Sequence, residues 1–192
     1  MTDALGVVLD AWIIQDGNYG DFTVGEQRAF ALEFGGTFEA TDLAPCELVH
    51  VEDADYIATA RVVHTASDWW AIDAGVLLFC EERPPACAVR GRFVQGVLTI
   101  AVDPFFYFEV HGAERNAPAL IYDWLIESIE IETAPFIDVG HKMRARDPKK
   151  LAWKHVPETR AWTDDDGHGS YLLRVRRLEN PPRRTLRADA TP

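Results

Sequence analysis

The hydrophobic and polar positions of this chain alternate over short runs. From Val94 to Val102 every second residue is apolar or glycine, and residues such as Gln95 and Thr99 fall between them. A period of two places one face of a strand on a core. Similar β-branched and aromatic runs, bounded by Gly, Pro, Asp or Asn, predict strands over residues 5–14, 27–34, 47–51, 56–65, 70–81, 93–102, 105–110 and 171–178.

The segment around Trp124 fits two patterns. Its apolar residues between positions 120 and 129 also lie on one face of a helix, and Pro118 suits the first turn of one. The stretch that begins at Tyr122 nevertheless matches the predicted strand that begins at Tyr56. We therefore predict a strand here.

That match belongs to a faint internal repeat. It consists of three glycine–tyrosine pairs, each 31 residues apart: Gly25 and Tyr56, Gly91 and Tyr122, Gly140 and Tyr171. A repeat of this kind indicates a tandem duplication, with units at residues 1–66 and 67–132. The alternative is that strands and turns recur at similar spacing in any all-β protein.

The run from Gly91 to Ile100, Gly-Arg-Phe-Val-Gln-Gly-Val-Leu-Thr-Ile, resembles the opening strand of OB-type barrels, and Val24-Gly25 is similar over a shorter stretch. This resemblance implies a barrel-like architecture and identifies no functional residues. We predict an all-β fold, antiparallel and barrel- or sandwich-like, formed by a tandem duplication of OB-like units.

Acidic and basic residues are distributed unequally along the chain. Residues 1–139 hold 6 basic and 24 acidic residues, a formal charge of −18, whereas residues 140–192 hold 13 basic and 7 acidic residues, a charge of +6. We predict an acidic β-rich body over 1–139, a basic β segment over 140–180 that packs on it, and a disordered tail over 181–192. Arg174, Arg176 and Arg177 are candidate anion-binding residues.

Two aromatic clusters are candidate binding sites. Trp69-Trp70 and Phe105-Phe-Tyr107 place large rings at adjacent positions, and neighbours in a strand face opposite sides. One ring of each pair is then free to stack on a sugar, a base or a partner protein. The alternative is that both faces are buried.

An acidic loop offers the best candidate for a metal site. Asp164, Asp166 and His168 carry the donor atoms that divalent ions use, although a hairpin tip needs the same residue types for its turn. We find no nucleophile elbow, Walker loop or zinc-binding histidine pattern. The sequence predicts no cofactor.

Three cysteines, an acidic N-terminus and the lack of a membrane-length apolar run predict a cytoplasmic protein that does not enter a membrane. The first functional hypothesis is a non-catalytic binding protein that uses its acidic surface to contact a protein partner or another copy of itself. The second is a hydrolase or isomerase that uses carboxylates. The third is an OB-like nucleic-acid-binding protein that uses the basic segment, which the overall net charge of −12 disfavours.

Overall fold

The computed structural model describes residues 4–140 and 143–186, and strands dominate it. A short α-helix, α1 (Ala11–Gln15), follows the first strand, and short 3-10 helices lie at His111–Ala113, Pro148–Lys150 and Asp164–Gly167. The strands are β1 (Leu5–Asp10), β2 (Gln27–Phe30), β3 (Leu32–Thr41), β4 (Glu47–Glu52), β5 (Asp55–Thr65), β6 (Trp70–Asp73), β7 (Leu77–Cys80), β8 (Phe93–Val102), β9 (Tyr122–Glu132), β10 (Phe136–Gly140), β11 (Met143–Arg146), β12 (Trp153–Val156) and β13 (Ser170–Arg177). The strand predicted around Trp124 is confirmed as β9.

Five strands close into a barrel. β8 pairs with β3, β3 with β7, β7 with β6 and β6 with β5, and β5 pairs with β8 to complete the circuit. Only the β3–β7 contact is parallel among these pairs. The predicted all-β, barrel-like fold is therefore confirmed.

Six further strands extend the sheet on both sides of the closure, whereas β10 and β11 pair with each other in a separate two-stranded sheet. β1 lies beside β8, β13 lies between β1 and β9, and β9 also pairs with β2 and β12. β4 lies at the opposite end, beside β5. The two predicted repeat units share the barrel, since β3 and β5 come from one and β6, β7 and β8 from the other; the duplication itself stays a prediction.

The described residues pack into two hydrophobic cores. The larger fills the barrel, where Val94, Leu98 and Ile100 of β8 are buried, as their alternation predicts. The smaller lies outside the barrel wall, where Trp69 and Phe79 pack beneath Tyr107 of the segment 103–121. This segment therefore covers one side of the barrel and leaves other parts of the wall to solvent.

The strand predicted at residues 105–110 is wrong, because residues 106–110 form a π-helix. The side chain of Asp103 accepts hydrogen bonds from the backbone N–H groups of Phe105 and Tyr107. The buried Asp103 side chain thus accepts hydrogen bonds from the first backbone amides of the helical turn. In an extended strand these N–H groups would point away from it.

The strand predicted at residues 5–14 ends early, at Asp10. Residues 11–15 form α1 because their backbone and side chains bond a distant loop: Ala11 donates to the carbonyl of Gly169, and the Gln15 amide donates to the carbonyls of Ala161 and Gly167. Tertiary contacts here override a local preference for strand.

The tail predicted to be disordered over 181–192 is partly ordered. Arg183 forms a backbone bridge with Ile121, and the Arg184 side chain donates to the carbonyls of Gly112 and Glu114. Residues 187–192 lie outside the described residues. No helix in the described ranges has the length and apolar character needed to cross a membrane.

Gly96 is expected to be essential where β3 and β8 approach each other. A Cβ on Gly96 would lie 2.0 Å from the carbonyl oxygen of Thr37, whereas a Cβ on Gly35 would meet nothing within 4 Å. We expect Gly96→Ala to lower the free energy of unfolding by about 1–3 kcal/mol through overpacking. Gly35→Ala is the matched control and should cause no loss. Urea denaturation measures the free energy of unfolding of both variants. Equal losses in the two variants would contradict a close approach of the two strands at Gly96.

Candidate functional site

The outer surface of β3, β4, β5 and β8 carries aliphatic side chains in solvent. Along β5, Tyr56 and Ala58 point into the barrel, so Ile57 between them must point outward. Val97 faces outward on β8 by the same parity, and Val49 does so on β4. Ile57 is 52% exposed, Val97 56% and Val49 45%. Isolated exposed aliphatic residues are ordinary, whereas contiguous exposed apolar surface marks a candidate interaction site.

Strand register joins these three residues into one row. Val49 pairs with Ile57, and Ile57 pairs with Val97, on three neighbouring strands. Strands lie about 4.8 Å apart, so the row forms a continuous stripe across the sheet. Exposed Leu43, together with Phe38, Ile57 and Val97, lines an open cavity of about 650 Å³ at the same place.

Carboxylates border this stripe. Glu47 and Glu39 lie one row away along the strands, and Asp55 lies one row away on the other side. Their hydrogen bonds come from neutral groups: Gln95 donates to Glu39 at 2.7 Å, and Thr99 donates to Asp55 at 2.5 Å. We name this surface, with Leu43, Val49, Ile57 and Val97 as its apolar residues and Glu39, Glu47 and Asp55 as its acidic ones, the acidic apolar face.

The sequence did not identify this face. The signal was present in β5, where Asp55, Ile57, Thr59 and Arg61 alternate with apolar residues. A lone apolar residue on a polar face does not stand out until pairing places Val49 and Val97 beside it.

The aromatic candidates lie elsewhere, and most are buried. Trp70 is in the barrel core, whereas Trp69 and Tyr107 are in the smaller core; all three are at most 2% exposed. The prediction that Trp69 and Trp70 face opposite sides is correct, but the segment 103–121 covers the outer side as well. Phe105 is half-buried, with its ring 4.7 Å from that of Phe106.

The candidate anion-binding arginines bond the chain itself. Arg174 donates to the carbonyl of Asp53 at 3.1 Å, and Arg176 forms an ion pair with Glu127 at 2.6 Å. Arg177 donates to the carbonyl of Gly75 and lies over the ring of Tyr122. All three are on β13, in the middle of the sheet.

The candidate metal-binding residues are not arranged around one point. The Asp164 carboxylate accepts from the hydroxyl of Tyr171 at 2.8 Å and from the backbone of Arg160. Its neighbour Asp165 pairs with Arg146, and the ring of His168 lies edge-on to that of Phe136. Within the described ranges, no group of three or more His, Cys, Asp or Glu side chains is placed to hold a metal ion.

A buried histidine cluster, which no sequence pattern indicates, lies beneath the segment 103–121. The ring of His111 contacts two carboxylates, Glu81 at 2.5 Å and Glu114 at 2.8 Å. Burial lowers the pKa of His111, but the two carboxylates outweigh burial and raise it overall. The ring stacks on Trp69, which also stacks on His64. Since His111 is almost fully buried, this cluster fastens the segment to the barrel.

A second pair of acids, the partly buried Glu33 and the fully buried Asp103, lies nearby. Burial, with smaller contributions from neighbouring carboxylates, raises the pKa of Glu33 to about 7 and that of Asp103 to about 7. Asp103 is fully buried and bonds the backbone of the π-helix, so its role is structural.

We expect Asp103 to lower the stability of the folded protein as the pH rises. Its folded pKa, about 7, lies above its ordinary value of 3.8, so the folded state retains a proton that the unfolded state releases. Between pH 5 and pH 8 the free energy of unfolding of the native chain should fall relative to Asp103→Asn by an amount on the order of 2 kcal/mol. Urea denaturation at the two pH values measures this difference.

The control for that experiment is Asp42→Asn, since Asp42 is exposed. It should leave the pH dependence of the native chain unchanged. If Asp103→Asn follows the native profile as closely as Asp42→Asn does, Asp103 is ionised in the folded protein and its raised pKa is refuted.

No family model, no curated protein and no solved structure matches the chain. Its function is therefore inferred from its own surface and charges.

Proposed function

We propose that this protein is a non-catalytic binding protein that takes up a basic protein partner on its acidic apolar face. The observation that carries the proposal is the row Val49–Ile57–Val97, which is exposed although the barrel behind it is well packed. Contiguous exposed apolar surface is a feature of interaction sites.

The charge of the face indicates the chemistry of the partner. Glu39, Glu47 and Asp55 surround the apolar row and bond no cationic side chain among the described residues. The basic residues near the C-terminal end neutralise other acids, because Arg176 pairs with Glu127 and Arg183 pairs with Asp123 on β9. A cationic partner would be attracted to the uncompensated side, and the apolar row would supply affinity once it is covered.

The thiols support a reducing compartment for this encounter. Cys46, Cys80 and Cys87 are free, and burial raises the pKa of Cys80 to about 11, which keeps it protonated and unreactive. We infer a cytoplasmic setting from these free thiols.

Peptide selection tests the proposal. Random peptides displayed on phage would be selected on the immobilised full chain, and we expect the bound peptides to be enriched in Lys, Arg and aliphatic residues. Ile57→Ser and Val97→Ser should each weaken binding of the selected peptides by about tenfold or more, because each removes an exposed aliphatic contact at the centre of the face. Fluorescence anisotropy with labelled peptides gives the affinities.

Val110→Ser is the matched control. Val110 is 54% exposed, much like Val97, but it lies in the π-helix and outside the face. Peptides that show no basic enrichment, or that respond to Val110→Ser as strongly as to Val97→Ser, would refute the proposed binding face. A thermal melt of each variant verifies that the fold is retained.

A further inference from the structure

The strand at one border of the acidic apolar face has an unpaired edge. β4 pairs with β5 along one side only, and no described strand lies on its other side. An edge of this kind presents a row of backbone N–H and C=O groups to solvent. The pairing with β5 is regular from Glu47 to His50 and shifts between His50 and Glu52, so the regular part of the edge is Glu47–His50.

The two ends of the sheet differ in how they are protected. β12, at the other end, is a four-residue strand that carries exposed Lys154, and an edge lysine is a common defence against pairing with another chain. β4 has six residues, Glu-Leu-Val-His-Val-Glu, with no lysine, arginine or proline among them. It is the less protected edge.

We propose, on the basis of the proposed function, that the basic partner binds as an extended strand added to β4. The added strand would continue the rows of the face. One of its side chains would lie beside Val49 and give the row Val49–Ile57–Val97 a fourth aliphatic residue. The side chain two residues away would lie beside Glu47, where a lysine or arginine neutralises the carboxylate.

This geometry defines a recognition motif. An antiparallel partner strand runs opposite to β4, so its sequence reads aliphatic, any residue, basic; a parallel partner reads basic, any residue, aliphatic. The side chain next to His50 would face the other side of the strand, where the guanidinium of Arg174 lies 3.3 Å from the His50 ring. A basic residue is therefore disfavoured at that position.

A second copy of the chain is a poorer occupant than a basic peptide. Pairing of β4 with β4 would bring two Glu47–Glu52 strands together, with four carboxylates at one joint and a formal charge of −18 on each body over residues 1–139. Like charges in adjacent strands oppose pairing.

A charge-swap experiment tests the motif. The probes are two acetylated, amidated peptides that differ in one residue, Thr-Thr-Val-Thr-Ile-Thr-Lys-Thr and its glutamate counterpart, and their order-reversed versions. We expect the lysine peptide, in one of its two orders, to bind the native chain at least about tenfold more tightly than the glutamate peptide. Glu47→Lys should reverse this preference. Glu109→Lys, an exposed glutamate outside the face, should leave it unchanged.

Backbone methylation tests the strand geometry. Single N-methyl groups placed along the better peptide should weaken binding by about tenfold or more at alternate positions only, because alternate N–H groups face β4. Suppose that peptides bind and that Ile57→Ser weakens their binding, but that methylation shows no alternation or Glu47→Lys does not reverse the preference. Strand addition is then overturned, and the proposed binding face stands. If no peptide binds in a way that Ile57→Ser weakens, the proposed function itself is overturned.

Discussion

The pairing of β5 with β8 is the constraint on which the rest of this molecule depends. It closes the barrel, and closure forces every side chain on the five strands to point either into the core or out of it. The residues Tyr56, Ala58 and Ala60 go in with Leu98 and Val94, so Ile57 and Val97 go out together and lie side by side. The exposed row is a direct consequence of packing the barrel.

Whether an outward-facing residue of the barrel is exposed to solvent depends on which segment of the chain covers the barrel wall at that place. The segment 103–121 lies over Trp69 and Phe79, and it is held there by the pair His111–Glu81 and by the indole N–H of Trp69, which donates to Glu114. No described segment lies over Ile57 and Val97 in the same way. The aromatic residues that most resemble binding residues are therefore core residues, and the less conspicuous aliphatic ones remain in contact with solvent.

Much of the fold could be predicted from the sequence because its strands obey a period of two. The alternation from Val94 to Val102 identified β8, whereas β9 was predicted, despite its helical alternative, from the match of the Tyr122 stretch to the Tyr56 stretch. Residues 106–110 could not be predicted in this way, because the buried carboxylate of Asp103 bonds amides that local propensity assigns to a strand. The candidate site was missed for a related reason: Val49, Ile57 and Val97 are far apart in sequence, and only strand register makes them one feature.

The charge asymmetry also changes meaning once the fold is known. Along the sequence, a basic segment follows an acidic body. This order resembles a nucleic-acid-binding tail attached to an unrelated domain. In space, several of these basic residues contact the body: Arg176 and Arg183 pair with acids of β9, while Arg174 bonds the turn after β4. The carboxylates Glu39, Glu47 and Asp55 beside the exposed row bond no cationic side chain among the described residues. Because opposite charges accelerate encounter and like charges disfavour the wrong partners, these acids and the exposed row together favour the occupant we propose, a cationic chain with aliphatic side chains.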